Sequence, residues 1–223
     1  MKIVLSLSGG MDSAALLGML LGTGHEVFAV SFFYGSKHNQ YELEAARKLA
    51  EHYGIKRQSM DISGIFAGFK SALLKEDSRP VPEGHYEDRT MVQTVVPGRN
   101  MIFSAILAGL AQSFEYDAVA LGIHAGDHAI YPDCRPAFKE SMDLAIKTAS
   151  EYSVSLYAPF LGMSKGDIVK VGMEHKVPFE LTRTCYKDQY LSCGKCGSCC
   201  ERLLAFAENG ITDPISYENS TVI

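Results

Sequence analysis

Apolar and polar positions along the chain switch between the period of a strand and the period of a helix. Residues 3–7 form a short β-rich apolar run, a Gly-rich turn follows, and residues 14–21 are a helix-prone apolar run. Residues 27–33 are a second strand, β-branched and aromatic. Residues 41–53 place Leu43, Ala46, Ala50 and Tyr53 at helical spacing, with Glu44 and Lys48 as an i,i+4 pair. A third strand is predicted over 57–62 and a fourth over 118–123. Between them lies a strongly apolar helix over 100–114 with Asn100 as its N-cap. Phe138, Met142, Ala145 and Ala149 mark an amphipathic helix. Ser164-Lys165-Gly166-Asp167 reads as a capping box that opens another, and a short helix over 198–208 follows. Strands alternating with helices predict an α/β fold with a parallel sheet and helices on both faces. Residues 64–99 are irregular, with Arg79-Pro80-Val81-Pro82 and Pro97-Gly98, and are expected to be a functional loop or lid. The expected organisation is a main domain over 1–180, a cysteine-bearing segment over 181–213 packed on it, and a loose tail over 214–223.

Composition narrows the class. The chain has 223 residues, 47% hydrophobic and 21% charged, enough to bury a sizeable core. A net charge of −5 gives no support for general nucleic-acid binding, which needs a basic stripe. No run approaches ~18 consecutive apolar residues, so neither a membrane span nor a membrane partner is expected. The N-terminus is too short for a signal peptide, and a cytoplasmic protein is expected. Of six cysteines, Cys185, Cys193, Cys196, Cys199 and Cys200 cluster and Cys134 stands apart. Clustered cysteines in such a chain argue for metal rather than disulfides.

The first strand–helix junction carries the sharpest chemistry, Ser8-Gly9-Gly10-Met11-Asp12-Ser13. Glycines let backbone N–H groups approach phosphate oxygens, and a helix N-terminus favours anions. The Ser8 and Ser13 hydroxyls can donate to the same anion, and Asp12 can hold magnesium or order the loop. A Walker A loop is excluded, because Gly-Lys-Ser/Thr is missing at its end. The string resembles the motif of the PP-loop ATP pyrophosphatases, a Rossmann-like, adenine-nucleotide α-hydrolase-like family. The resemblance implies a five-stranded sheet and cleavage of ATP between its α and β phosphates, with AMP passed to a substrate oxygen. It makes Leu7 through Ser13 (Leu7, Ser8, Gly9, Gly10, Met11, Asp12, Ser13) the nucleotide loop. It also sets adenine near residues 30–33, with Ser31 and Phe32 as contacts. Lys165 matches a later phosphate-touching lysine of the family.

Cys193-Gly-Lys-Cys196-Gly-Ser-Cys199 gives two successive CxxC steps, with Cys185 eight residues upstream. Four thiolates so spaced suit one structural tetrahedral zinc, with iron–sulfur ligation or a redox CxxC as alternatives. Cys200 falls on one helical face with Leu203, Leu204 and Ala207 and reads as a small core residue, leaving Cys185, Cys193, Cys196 and Cys199 as ligands.

Three further strings fall at strand ends or helix starts, where open α/β sheets bind ligands. They are Phe33-Tyr34-Gly35-Ser36-Lys37-His38, Val96-Pro97-Gly98-Arg99-Asn100, and Gly122-Ile123-His124-Ala125-Gly126-Asp127-His128 running on to Tyr131-Pro132-Asp133-Cys134-Arg135. With Thr184-Cys185-Tyr186 and the loop, they make residues 3 to about 213 resemble the 7-cyano-7-deazaguanine synthase family of the queuosine and archaeosine pathways. The 124–128 string differs from the acidic string many bacterial members carry there. The resemblance implies a homodimeric ligase that uses ATP, Mg2+ and ammonium to convert 7-carboxy-7-deazaguanine to the nitrile through an amide. Asp12, Ser13, Lys165 and Arg99 are the catalytic candidates. Phe33, Tyr34, His38, Arg99, His124, Asp127, Asp133 and Arg135 are the substrate candidates: a carboxylate for the base's amino edge, arginine for carboxylate or phosphate, an aromatic ring for stacking. His38, His124 and His128 can shuttle protons. The alternatives are an enzyme that stops at the amide or transfers the activated deazaguanine, a tRNA-modifying PP-loop enzyme, and a nucleotide-binding module without catalysis.

Overall fold

The computed structural model describes residues 1–85, 89–127 and 129–218; the candidate His128 and the end of the expected tail, 219–223, lie outside them. Five parallel strands form one sheet in the order β3-β2-β1-β4-β5: β1 (Lys2–Ser6), β2 (Glu26–Phe33), β3 (Arg57–Asp61), β4 (Ala118–Ala120) and β5 (Ser155–Tyr157). Among the described residues, six α-helices connect and cover it: α1 (Met11–Gly22), α2 (Asn39–Tyr53), α3 (Arg99–Ser113), α4 (Pro136–Ala149), α5 (Lys165–Glu174) and α6 (Gly197–Glu208). Central β1 pairs Ile3 with Val27 on one side and with Ala118 on the other. The chain winds outward from β1 to β3, then crosses to β4 on the far side. That reversal opens a crevice beyond the carboxyl ends of β1 and β4.

Alternation along the strands splits the core in two. Ile3, Leu5, Ala118 and Ala120 face Leu16, Leu17, Leu20 and Ile168 on one side of the sheet. Val4, Val30, Phe32 and Val119 face Phe103, Leu107 and Ala111 on the other. With both faces buried, the strands read as continuous apolar runs.

Several boundaries differ from the sequence expectation. β5 has three residues, too few for a period to register. The fourth strand stops at Ala120, and the chain passes over the loop at Gly122, where a Cβ would lie 3.3 Å from the Asp12 carbonyl oxygen. Helix α3 starts at Arg99 after Gly98 in a left-handed turn (φ +64°), so Asn100 lies inside the first turn and is not the cap. The capping box of α5 forms as expected, Asp167 N–H donating to Ser164 Oγ at 3.1 Å and Ser164 N–H to Asp167 Oδ2 at 2.9 Å. In the irregular stretch, Phe66, Leu73, Leu74, Met91 and Val96 are buried against α3, so these residues are core and not lid. The helical run Arg89–Ser113 is long and apolar enough to cross a membrane by length and composition, yet Phe103, Leu107, Ala108 and Ala111 within it pack on the sheet.

Candidate active site

Four residues, 7–10, turn the chain from β1 into α1. Leu7 is buried, and its N–H donates to the Val30 carbonyl at 2.9 Å, extending the sheet. Gly9 has φ +87°, and a Cβ there would lie 2.3 Å from the Glu42 carbonyl oxygen; it is glycine because α2 crosses so close. Gly10 N–H donates to Ser8 Oγ at 3.1 Å, and the Ser8 and Ser13 hydroxyls sit 3.1 Å apart. Two hydroxyls thus converge at the amino end of a 12-residue helix, a place that attracts an anion.

Behind the loop is a buried cluster of charges. Lys165, at the start of α5 and only 8% exposed, places Nζ 3.2 Å from Asp12 Oδ2. His124 is fully buried, with Nε2 3.7 Å from Asp12 Oδ2 and 3.4 Å from Asp127 Oδ2. Its Nδ1 accepts from Gly126 N–H at 3.1 Å, which turns Nε2 toward the carboxylates. Burial alone would raise the Asp12 carboxyl, but Lys165 and His124 outweigh it and hold Asp12 below its ordinary range. Burial would likewise lower Lys165, and Asp12, Asp127 and Glu201 reverse that. Asp12 Oδ1 is buried without a protein partner. A carboxylate oxygen left open beside a phosphate loop fits magnesium, which binds through one or two carboxylates plus phosphates and water.

The cleft continues toward β2 and α3, where Tyr34, His38, Glu42, Arg99 and Tyr186 line it. Burial, aided by Arg99, pushes His38 down to about 3 and keeps it neutral. Burial pushes Glu42 up to about 7 against the opposing pull of Arg99 and Arg183. Burial also works to lower Arg99, but Tyr34, Asp133, Tyr186 and Cys134 raise it well above its ordinary value.

Of the residues singled out in the sequence, Ser8, Gly10, Met11, Asp12, Ser13, Tyr34, His38, Arg99, Asp127 and Lys165 line this one cleft, and His124 backs it. Others are engaged elsewhere. Ser31 Oγ donates to the Leu7 carbonyl at 2.6 Å, and Phe32 stacks on Phe103 with ring centroids 4.3 Å apart; neither lines the cleft. Phe33 ends β2, half-buried and also off the lining. Asp133 Oδ2 accepts from Asn100 N–H at 2.9 Å and so caps α3. Arg135 is exposed and reaches the Ala129 carbonyl at 3.4 Å. Glu42, Arg183 and Tyr186 line the cleft without having been picked out as site residues. Glu42 lay within an ordinary helical pattern, and its one local signal is the i,i+4 step from His38.

At the C-terminal end, the Sγ atoms of Cys185, Cys193, Cys196 and Cys199 lie within 4.8 Å of one another, and none is in a disulfide. Four sulfurs about 2.3 Å from a tetrahedral zinc stand about 3.8 Å apart, and Cys193 and Cys199 are 3.9 Å apart. The backbone N–H groups of Lys187 and Cys193 donate to Cys185 Sγ, and those of Lys195 and Cys196 to Cys193 Sγ, all at 3.3–3.4 Å. Bonds from the Cys185, Cys196 and Cys199 thiols pull Cys193 down while Cys196 and Cys199 are pushed up. Such crowded thiols need shared protons or a cation, and the donor set fits zinc. Cys200 Sγ turns to the Lys195 carbonyl instead. Next to this knot, the fully buried Arg202 grips Asp213 through Nε at 2.7 Å and Nη2 at 2.8 Å. Residues expected to be a loose tail pack back on it: the Tyr217 hydroxyl donates to Asp213 Oδ2 at 2.6 Å, and Tyr217 bridges to Ser192.

Comparison with known proteins agrees with this architecture. The chain is 46% identical over 217 residues to the 7-cyano-7-deazaguanine synthase of Marinomonas sp., covering 97% of this chain and 98% of that one. It is 47% identical over 218 residues to the same-named protein of Hahella chejuensis, covering 98% and 94%. In fold it is similar to a solved predicted subunit of tRNA methyltransferase from Methanocaldococcus jannaschii, with a TM-score of 0.52, 17% identity, and 96% and 90% of the two chains covered. Residues 2–210 match the model of the queuosine biosynthesis protein QueC family, to which this chain belongs.

Proposed function

We propose that this chain is a C–N ligase that converts 7-carboxy-7-deazaguanine and ammonia to 7-cyano-7-deazaguanine, consuming two ATP. The single observation that carries the reading is a phosphate-loop cleft in which Asp12, paired with the buried Lys165 and His124, shares the lining with Arg99, in a chain 46% identical to a protein of that name. A carboxylate oxygen is a poor leaving group, and adenylation makes it a good one. Ammonia then gives the amide, and a second adenylation on the amide oxygen lets AMP depart as the nitrile forms.

The chain's own groups are assigned as follows. Gly10 N–H, Ser8 Oγ, Ser13 Oγ and the α1 amino end bind phosphate oxygens. Lys165 holds Asp12 in place and offsets charge as diphosphate leaves. Arg99, charged throughout the neutral range, orients the substrate carboxylate against the α-phosphate. Tyr34 and Tyr186 offer ring faces to the planar base. His124 Nε2 is held between two carboxylates and steadies them. Asp12 would hold magnesium, which would supply charge neutralisation at the phosphates. Cys185, Cys193, Cys196 and Cys199 would hold zinc, which would supply a structural crosslink there.

We further assign residues 1–180 to the nucleotide domain and 181–213 to the zinc segment, with a homodimer as the working state in the cytoplasm. No nucleic-acid partner is assigned, in keeping with the net charge of −5. Sedimentation would test the dimer, and elemental analysis would distinguish zinc from iron. Diphosphate release tests the reading: it should require the carboxylated deazapurine and vanish in Asp12→Asn. Release at the same rate without that substrate would refute it.

A further inference from the structure

The cleft offers three carboxylates among the described residues, Asp12, Glu42 and Asp127. Two are committed. Asp12 contacts Lys165, and both it and Asp127 face His124 Nε2. Asp133, which the sequence offered for the same task, is committed to the amino end of α3. Glu42 remains. It sits in the first turn of α2, its side chain 17% exposed, with Oε2 3.4 Å from His38 Nε2. Among the cations facing it, Arg183 spends its guanidinium on the carbonyls of Lys187, Gln189 and Tyr190.

Topology fixes which flank of the cleft Glu42 occupies. Glu42 follows β2, whereas Asp127 follows β4 and Lys165 follows β5; the phosphate loop after β1 lies between them. An acid on the flank opposite the Lys165 cluster, beside Tyr34 and Tyr186, is separate from the Asp12 carboxylate that would take magnesium. A carboxylate there would repel phosphate, and it needs N–H donors. A deazaguanine presents two adjacent donors on its pyrimidine edge, the ring N–H and the 2-amino group, and one carboxylate can accept both. Adenine presents an amino donor beside a ring lone pair, which a carboxylate meets poorly.

We infer that Glu42, beside His38, reads the paired N–H donors of the deazaguanine base and sets specificity for it. The inference rests on the function proposed above. His38 stays neutral at its depressed value of about 3, so its ring stands 3.4 Å from Glu42 Oε2 without cancelling the carboxylate's charge. Docking a donor pair favours the ionised form of a carboxyl otherwise held up to about 7.

The test compares wild type, Glu42→Gln and Glu42→Asp on 7-carboxy-7-deazaguanine and on its analogue lacking the 2-amino group, with melting curves as a check on folding. Wild type should discriminate against the analogue by about 10- to 100-fold in kcat/KM, the size of effect expected when a buried acceptor loses a donor. Glu42→Gln should raise KM for the base by about 30-fold, leave KM for ATP within about 3-fold, and lose most of that discrimination. Glu42→Asp should shift the same parameters in the same direction and guards against a Gln variant that does not fold. A wild type indifferent to the 2-amino group, variants that keep the discrimination, or variants that raise KM for ATP instead would overturn the inference. A wild type inert toward the base would instead refute the functional reading beneath it.

Discussion

Lys165 shows what one buried charge controls. Its Nζ lies 3.2 Å from Asp12 Oδ2, and Asp127 and Glu201 also act on it. Removing one partner of a buried pair leaves the other charge uncompensated, so Lys165→Met should lose about 3 kcal/mol of stability as well as activity. The pH dependence adds a sign. The Asp12 carboxyl is held below its ordinary value, so the stability it contributes is present above the ordinary carboxylate range. That stability is lost as pH falls through the lowered value. Without Lys165, burial dominates, and the acid-induced loss should begin at higher pH. Urea unfolding across pH 3–8 for both proteins measures this; parallel curves would count against the pairing. At this scale the sequence was legible where chemistry is local. Ser8–Ser13 is one contiguous string, readable as a strand–glycine–helix junction. Lys165 needed a family resemblance, since a lysine in a helix's first turn is ordinarily solvated. Glu42 stayed hidden because its role depends on a cleft assembled from segments scattered between Ser6 and Ser198.

Among elements, α2 and the phosphate loop meet backbone to backbone. Gly9 has φ +87° with the Glu42 carbonyl 2.3 Å from where its Cβ would fall, and Ala46 N follows at 2.7 Å. Gly9→Ala should therefore cost about 3 kcal/mol through left-handed strain and overpacking against backbone that cannot retreat. An unfolding free energy from urea titration within about 0.3 kcal/mol of wild type would contradict the close approach. The element pattern was readable for long segments, the periodic α2 and the strongly apolar α3. It failed at β5, which has three residues, and at the end of β4, where the apolar run 121–123 leaves the sheet. Hydrophobicity alone cannot distinguish a strand residue from a buried loop residue. The stretch 64–99 read as a functional loop or lid because its Pro- and Gly-bearing sequence promises neither helix nor strand, yet Leu73, Leu74 and Met91 anchor it in the core.

At the scale of the whole molecule, the four-cysteine knot ties distant parts together. Glu83 bridges to Cys196 and Gly84 N–H donates to the Lys195 carbonyl at 2.9 Å, while Ser192 bridges to Tyr217. Chelation should release one zinc per chain, lower Tm by several degrees and open residues 185–200 to protease, because metal binding to the native state adds directly to folding stability. Unchanged melting and cleavage after metal loss would argue that hydrogen bonds such as Arg202–Asp213 suffice. The central claim is that one loop serves two successive adenylations. The most direct measurement follows product mass and AMP together, with 7-carboxy-7-deazaguanine, ammonium, magnesium and excess ATP. A nitrile product with two AMP formed for each is expected, the amide appearing only transiently. An amide that persists while ATP remains, or one AMP per final product, would contradict it.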